Sequence, residues 1–142
     1  MKRAIKKATA SESQYQDAAR ALGCVVCRYR FIASGGTHEE FEHCYSAHAG
    51  DTEIHHRNVG DLHGQKQLGQ DAAVALCAYH HRGVPFFGWG DDEMREAYGP
   101  SFALHARDFR EWTQDVLPGY GRGTAAWQKL QDEYLETSDG SE

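Results

Sequence analysis

Nowhere does the sequence hold an apolar run approaching the roughly 20 residues a helix needs to cross a bilayer. Its first ten residues, MKRAIKKATA, are basic but lack the apolar stretch of a secretory signal. Both lacks point to a cytosolic protein, of a bacterium or of an infected bacterial cell, with no membrane partner. A surplus of base is also missing: 15 Lys and Arg against 21 Asp and Glu leave a formal net charge of −6. A nucleic-acid partner would therefore have to be met by local patches of charge, not by the field of the whole molecule. Cysteine is too sparse, at four residues, for a secreted disulfide scaffold. In a reducing compartment, cysteines in paired spacing point to metal or redox work instead. There is no internal repeat and no low-complexity segment, and 142 residues leave room for one compact domain with its own core.

What is present divides along the chain. Lys2, Arg3, Lys6 and Lys7 make residues 1–10 a basic arm, and residues 137–142 close the chain as an acidic tail. SESQYQDAARALG reads as a helix, with Ser11 and Gln14 at capping-box spacing, an inner face of Tyr15, Ala18, Ala19 and Leu22, and Gly23 as a stop. CVVCRYRFIA reads as a metal-binding knuckle running into a strand, and residues 34–51 as a loop without period. TEIHHR and AAVAL read as two short strands joined by the glycine-rich loop NVGDLHGQKQLGQ, and CAYHHR opens a helix. DDEMREAY is a short helix stopped by Gly99 and Pro100. Ser101 is expected to cap a longer helix whose inner face carries Phe102, His105, Phe109, Trp112 and Val116. Thr124 is expected to cap a last helix that turns Trp127, Leu130 and Tyr134 inward. The expected fold is α+β, with residues 11–99 as the core domain and 100–136 as a helical extension packed on it.

Two groups of residues carry chemistry. Cys24-x-x-Cys27 and Cys77-x-x-His80 each offer two ligands from one tight bend, and together they complete the four-ligand set that structural zinc prefers. Bound zinc would contribute folding free energy directly. Cys44, beside His43 and His48, could compete for a ligand position. The second group is His55, His56 and His81. Neighbours on a strand point to opposite faces, so His55 and His56 cannot do the same job. His55, with His81 on the following helix, could hold one divalent cation, and His56 could then take a proton from water. That combination suits phosphodiester hydrolysis, which needs a cation for the developing charge and a base titrating near neutrality. Arg57, Lys66 and Arg82 flank this centre and could hold DNA phosphates, though each could also be an ordinary solvated charge. His63 could face the site from the loop, whereas His105 reads as a satisfied core histidine.

CVVC, IHH and LCAYHH together resemble the HNH, or ββα-metal, nuclease superfamily. More narrowly, ALGCVVC, EIHHRN, ALCAYHHRG and EAYG are similar to the phage recombination-enhancement, RecA-dependent nucleases, over roughly residues 20–99. The resemblance implies a small ββα-metal core with a treble-clef-like zinc site and flanking helices. It implies His56 as general base, His55 and His81 as ligands of a catalytic magnesium or manganese ion, and zinc on Cys24, Cys27, Cys77 and His80. It implies DNA as substrate, in phage recombination or processing, with a recombinase filament as a possible partner. The chain departs from the pattern at the central asparagine: its one asparagine is Asn58, and Gln70 and Asp71 stand near the second strand instead. The sequence also admits a non-catalytic zinc module that binds nucleic acid or protein, its HNH core degenerate.

Overall fold

The computed structural model describes residues 7–48, 52–58, 61, 68–86 and 88–139, with the backbone alone for 44–48 and 138–139. Seven helices surround a two-stranded antiparallel sheet among these residues, an α+β arrangement. No helix among them is long and apolar enough to cross a membrane.

Helix α1 (Ala10–Leu22) is capped two residues earlier than expected. Thr9, not Ser11, is its N-cap, and Thr9 and Glu12 form a reciprocal capping box. Gly23 ends it with φ 85°, a backbone conformation that other residues adopt only at a cost.

Helix α2 (Val25–Ala33) corrects the strand expected after the knuckle. The β-branched and aromatic run VVCRYRFIA favours a strand locally. Here the Cys24 bend is itself a helix cap: Cys24 Sγ accepts the Cys27 N–H. Val25 and Val26 are buried, and Tyr29 packs edge-on against Trp127 with ring centroids 5.6 Å apart. Arg28 is also buried, and its guanidinium donates to the Leu22 carbonyl at 2.6 and 3.1 Å.

Helix α3 (His38–His48) occupies part of the stretch expected to be loop. Thr37 and Glu40 form a second capping box, at 2.9 and 3.1 Å.

Strands β1 (Thr52–His56) and β2 (Ala73–Cys77) fall where the sequence places them, paired Thr52↔Cys77 through His56↔Ala73. β2 is buried throughout, so it reads as an unbroken apolar run, whereas β1 is half-buried. The chain passes straight from β2 into α4 (Ala78–Arg82), which Gly83 closes in the left-handed conformation with its N–H on the Tyr79 carbonyl. Helix α5 (Asp91–Tyr98) follows the connector as expected.

Helix α6 (Ala106–Val116) begins five residues after Ser101, a correction to the expected cap. Ser101 instead closes a tight turn, its Oγ accepting the Leu104 N–H and its own N–H donating to His105 Nδ1 at 2.9 Å. His105 Nε2 donates to Asp91 at 3.1 Å, so both ring nitrogens are satisfied.

Helix α7 (Gly123–Asp139) carries Trp127 and Leu130 into the core and runs three residues into the expected acidic tail, 137 to 139. Trp127 stacks on Trp112 and donates to Thr113 Oγ1 at 2.7 Å.

One apolar cluster unites Val25, Val74, Leu76, Tyr79, Phe109 and Trp127, so residues on both sides of position 100 share a core. Gln131, on α7, is wholly buried. Its side chain accepts the Ala75 N–H at 2.8 Å and donates to the Ala73 carbonyl at 3.0 Å. In an antiparallel pair, alternate residues aim their backbone groups away from the partner strand. Ala73 and Ala75 do so, and the one amide of Gln131 takes the place of a third strand.

Candidate functional site

The four ligands expected from spacing converge. Cys24 caps α2 and Cys27 lies in its first turn, while Cys77 caps α4 and His80 lies in that first turn. All four donor atoms fall within 4.8 Å of one another. Cys27 Sγ and Cys77 Sγ are 3.8 Å apart, and His80 Nδ1 lies 3.3–3.5 Å from the three sulfurs. A tetrahedral zinc with ordinary bond lengths would have edges of about 3.8 Å between sulfurs and about 3.6 Å between sulfur and nitrogen. The measured edges match these to within a few tenths of an ångström.

The surroundings fit the same use. His80 Nε2 donates to the Tyr98 carbonyl at 2.9 Å, which leaves Nδ1 as the nitrogen turned to the sulfurs. Electrostatics among the donors oppose a second negative charge. Hydrogen bonds from Cys24 and Cys27 hold the Cys77 thiol far below its ordinary range. Hydrogen bonds with Cys24 and Cys77, and burial, push the Cys27 thiol well above it. A divalent cation is what lets several buried thiolates coexist. The cluster can hold a metal ion such as zinc.

The second group surrounds an open cavity of about 460 Å³, lined by His55, Asn58, Asp61, His81, Phe102, Ala103, Ala106 and Arg110. Strand alternation puts Glu53 and His55 on one face of β1, toward α4. The His55 and His81 rings lie edge to face, 5.1 Å apart. His81 Nδ1 donates to Glu53 Oε1 at 2.8 Å, leaving Nε2 as its acceptor nitrogen. His55 Nε2 is buried and has no hydrogen-bond partner among the described residues. Burial, then the neighbouring His81, lowers the His55 pKa from 6.5 to about 4, so the ring is a neutral donor at neutral pH. Hydrogen bonds from Arg82, helped by the one from His81, outweigh burial and keep the Glu53 carboxyl below its usual range.

His56 lies on the other face of β1 and is not among the residues lining the cavity. Its Nε2 is 3.0 Å from Gln70 Oε1, which also accepts from Gln16 Nε2 at 3.0 Å. An amide oxygen only accepts, so His56 carries its proton on Nε2 and presents Nδ1 as the basic nitrogen.

Of the three bases expected to hold phosphate, Arg57 donates to Gln128 at 2.6 Å and to Thr124 at 3.2 Å. Arg82 forms a two-pronged pair with Glu53 at 2.6 and 2.9 Å. Lys66 and His63 lie outside the described residues, and of Cys44 and His48 only the backbone is described.

Sequence reasoning passed over Glu53, Gln16, Asp61 and Arg110. Glu53 was within reach of it, two residues before His55 on the same strand face. Asp61 accepts the Thr124 N–H at 2.7 Å and the Thr124 hydroxyl, and so caps α7 from the loop after β1.

The fold and the donor set thus define an α+β protein with a Cys3His group that could hold a metal ion. No family model, no curated protein and no solved structure matches the chain.

Proposed function

We propose that the protein is a metal-dependent DNA endonuclease of HNH type. The single observation that carries this reading is the histidine pair between strand and helix. His55 offers a buried, partnerless and neutral Nε2, and His81 faces it with its own Nε2 turned outward by Glu53. In this reading Cys24, Cys27, Cys77 and His80 hold a structural zinc that ties the start of α2 to the β2–α4 junction. His55 and His81 would hold a second cation, which would supply Lewis acidity for phosphodiester hydrolysis. Two imidazoles suit manganese better than magnesium, which prefers oxygen ligands.

His56 acts as the base. Its Nδ1 takes a proton from water, the resulting hydroxide attacks phosphorus, and the bond to the leaving ester oxygen breaks. Gln70 fills the part that the superfamily gives to its asparagine, since it fixes the tautomer of the base. The phage setting and a recombinase filament rest on the sequence resemblance and belong to the proposal.

A non-catalytic zinc module is the second reading, favoured by the placement of His56 across the strand from the cavity and by the paired state of Arg57 and Arg82. Cleavage of plasmid and single-stranded DNA with manganese or magnesium separates the two. His56→Ala should lower the rate by about a hundredfold or more at unchanged zinc content. Equal cleavage by both proteins would withdraw the base. No cleavage by folded, zinc-loaded protein, alone or with a recombinase filament, would leave the binding module.

A further inference from the structure

We infer that Arg110 is the phosphate-holding residue of the histidine cavity, so that α6, outside the span of the sequence resemblance, forms one wall of the site. The inference deepens the nuclease reading and takes its substrate class, a phosphodiester, from it.

Arg110 lines the cavity together with His55 and His81. It is half-buried, and no acceptor or carboxylate among the described residues pairs with its guanidinium. The other arginines near the site and core are engaged. Arg28 binds the Leu22 carbonyl, Arg57 binds Gln128, Arg82 binds Glu53, and Arg95 binds Asp108. Among the described residues, Asp61 is the one carboxylate lining the same cavity. Each of its oxygens accepts a hydrogen bond from Thr124 at the start of α7, and it makes no ion pair with Arg110. The arrangement therefore sets a guanidinium without an ion-pair partner among the described residues in the same cavity as the imidazoles of His55 and His81.

A planar guanidinium fits phosphate oxygens in a two-pronged way, and a half-buried one is screened less than a surface lysine. The cavity, at about 460 Å³, is within the range of small-molecule sites, about 300–1,000 Å³. Phe102 and Ala106 give it an apolar wall in which such a contact is strengthened. An anion bridging Arg110 and a cation on the histidines would have both charges matched.

The test measures binding of a fluorescein-labelled single-stranded oligonucleotide by anisotropy across a salt series. The protein is zinc-loaded, carries His56→Ala to prevent cleavage, and receives no other divalent cation. Arg110→Gln should weaken binding about tenfold and lower the salt slope by about 0.7, one phosphate on a single strand. Arg110→Lys should recover part of the affinity and the whole slope. Arg107→Gln, exposed on the same helix, is the control and should change neither. Zinc content and melting temperature confirm that each variant is folded. Arg110→Gln within about twofold of its parent, or no different from Arg107→Gln, would overturn the inference, as would absence of binding by the parent. The nuclease reading is tested apart. Arg110-dependent binding without cleavage by the wild type keeps the phosphate site and rejects the enzyme. Cleavage by Arg110→Gln with unchanged KM and salt dependence keeps the enzyme and rejects the site.

Discussion

Lowering the pH should destabilise the protein through His55 in a defined window. Burial and the neighbouring His81 lower this imidazole from 6.5 to about 4 in the folded chain, while in the unfolded chain it titrates near 6.5. Above about pH 6.5 both states are neutral at this ring and its contribution to stability is intact. As the pH falls, the unfolded chain takes up a proton that the folded one refuses, so stability is lost progressively. The loss is complete near the folded value of about 4. At about 1.4 kcal/mol per pH unit, the total is about 3 kcal/mol, of which about 2 is lost by pH 5. The ring keeps some exposure, which makes these upper figures.

The assay is urea unfolding of wild type and His55→Gln at about pH 7 and about pH 5, with one equivalent of zinc and no other divalent cation. Proton uptake by the zinc ligands is common to both proteins and cancels in the difference. Wild type should lose about 2 kcal/mol more than the variant between the two pH values. Losses equal within about 0.5 kcal/mol would refute the reasoning, and with it the picture of His55 as a desolvated, neutral nitrogen donor.

Other expectations concern the zinc cluster, the hairpin edge and the base. Cys77→Ser should abolish stoichiometric zinc and leave the chain largely unfolded in circular dichroism, since structural zinc supplies folding free energy of the same order as the stability of a whole domain. A strong chelator should do the same to wild type, and added zinc should restore the signal. Gln131→Leu should cost about 3 kcal/mol, because it leaves the Ala75 N–H and the Ala73 carbonyl buried and unpaired. A thermal melt reads that as a fall of roughly 10 °C, against no resolvable change for the exposed Gln114→Leu. Gln70→Leu should lower kcat by about tenfold while KM holds, because His56 loses the acceptor that fixes its tautomer; an unchanged pH–rate profile would argue against that role.

The hairpin and the metal cluster were legible because their signals are local. TEIHH alternates, AAVAL is continuously apolar, and C-x-x-C with C-x-x-H sets ligand geometry within single turns. The strand expected over CVVCRYRFIA failed because β-branched and aromatic residues decided the local preference. Capping by Cys24 and burial of Val25, Val26 and Arg28 decided the structure. Helix α3 did carry a local mark, the Thr37 and Glu40 capping box, at the head of a segment with no apolar stripe to support it. Arg110, Gln16 and Gln131 had no such mark. Each reaches its site across the tertiary fold, Gln131 from 56 and 58 positions away along the chain, and no spacing rule spans that distance.

The same span bears on the order of events during synthesis. β1, β2 and all four zinc ligands leave the ribosome well before Gln131. The hairpin can therefore pair and the metal can be captured while the outer edge of β2 still bears two unsatisfied backbone groups. Until α7 emerges and docks, that edge is open to any other extended chain. The last helix thus serves the nascent protein as a latch that converts a sticky strand edge into a finished interior.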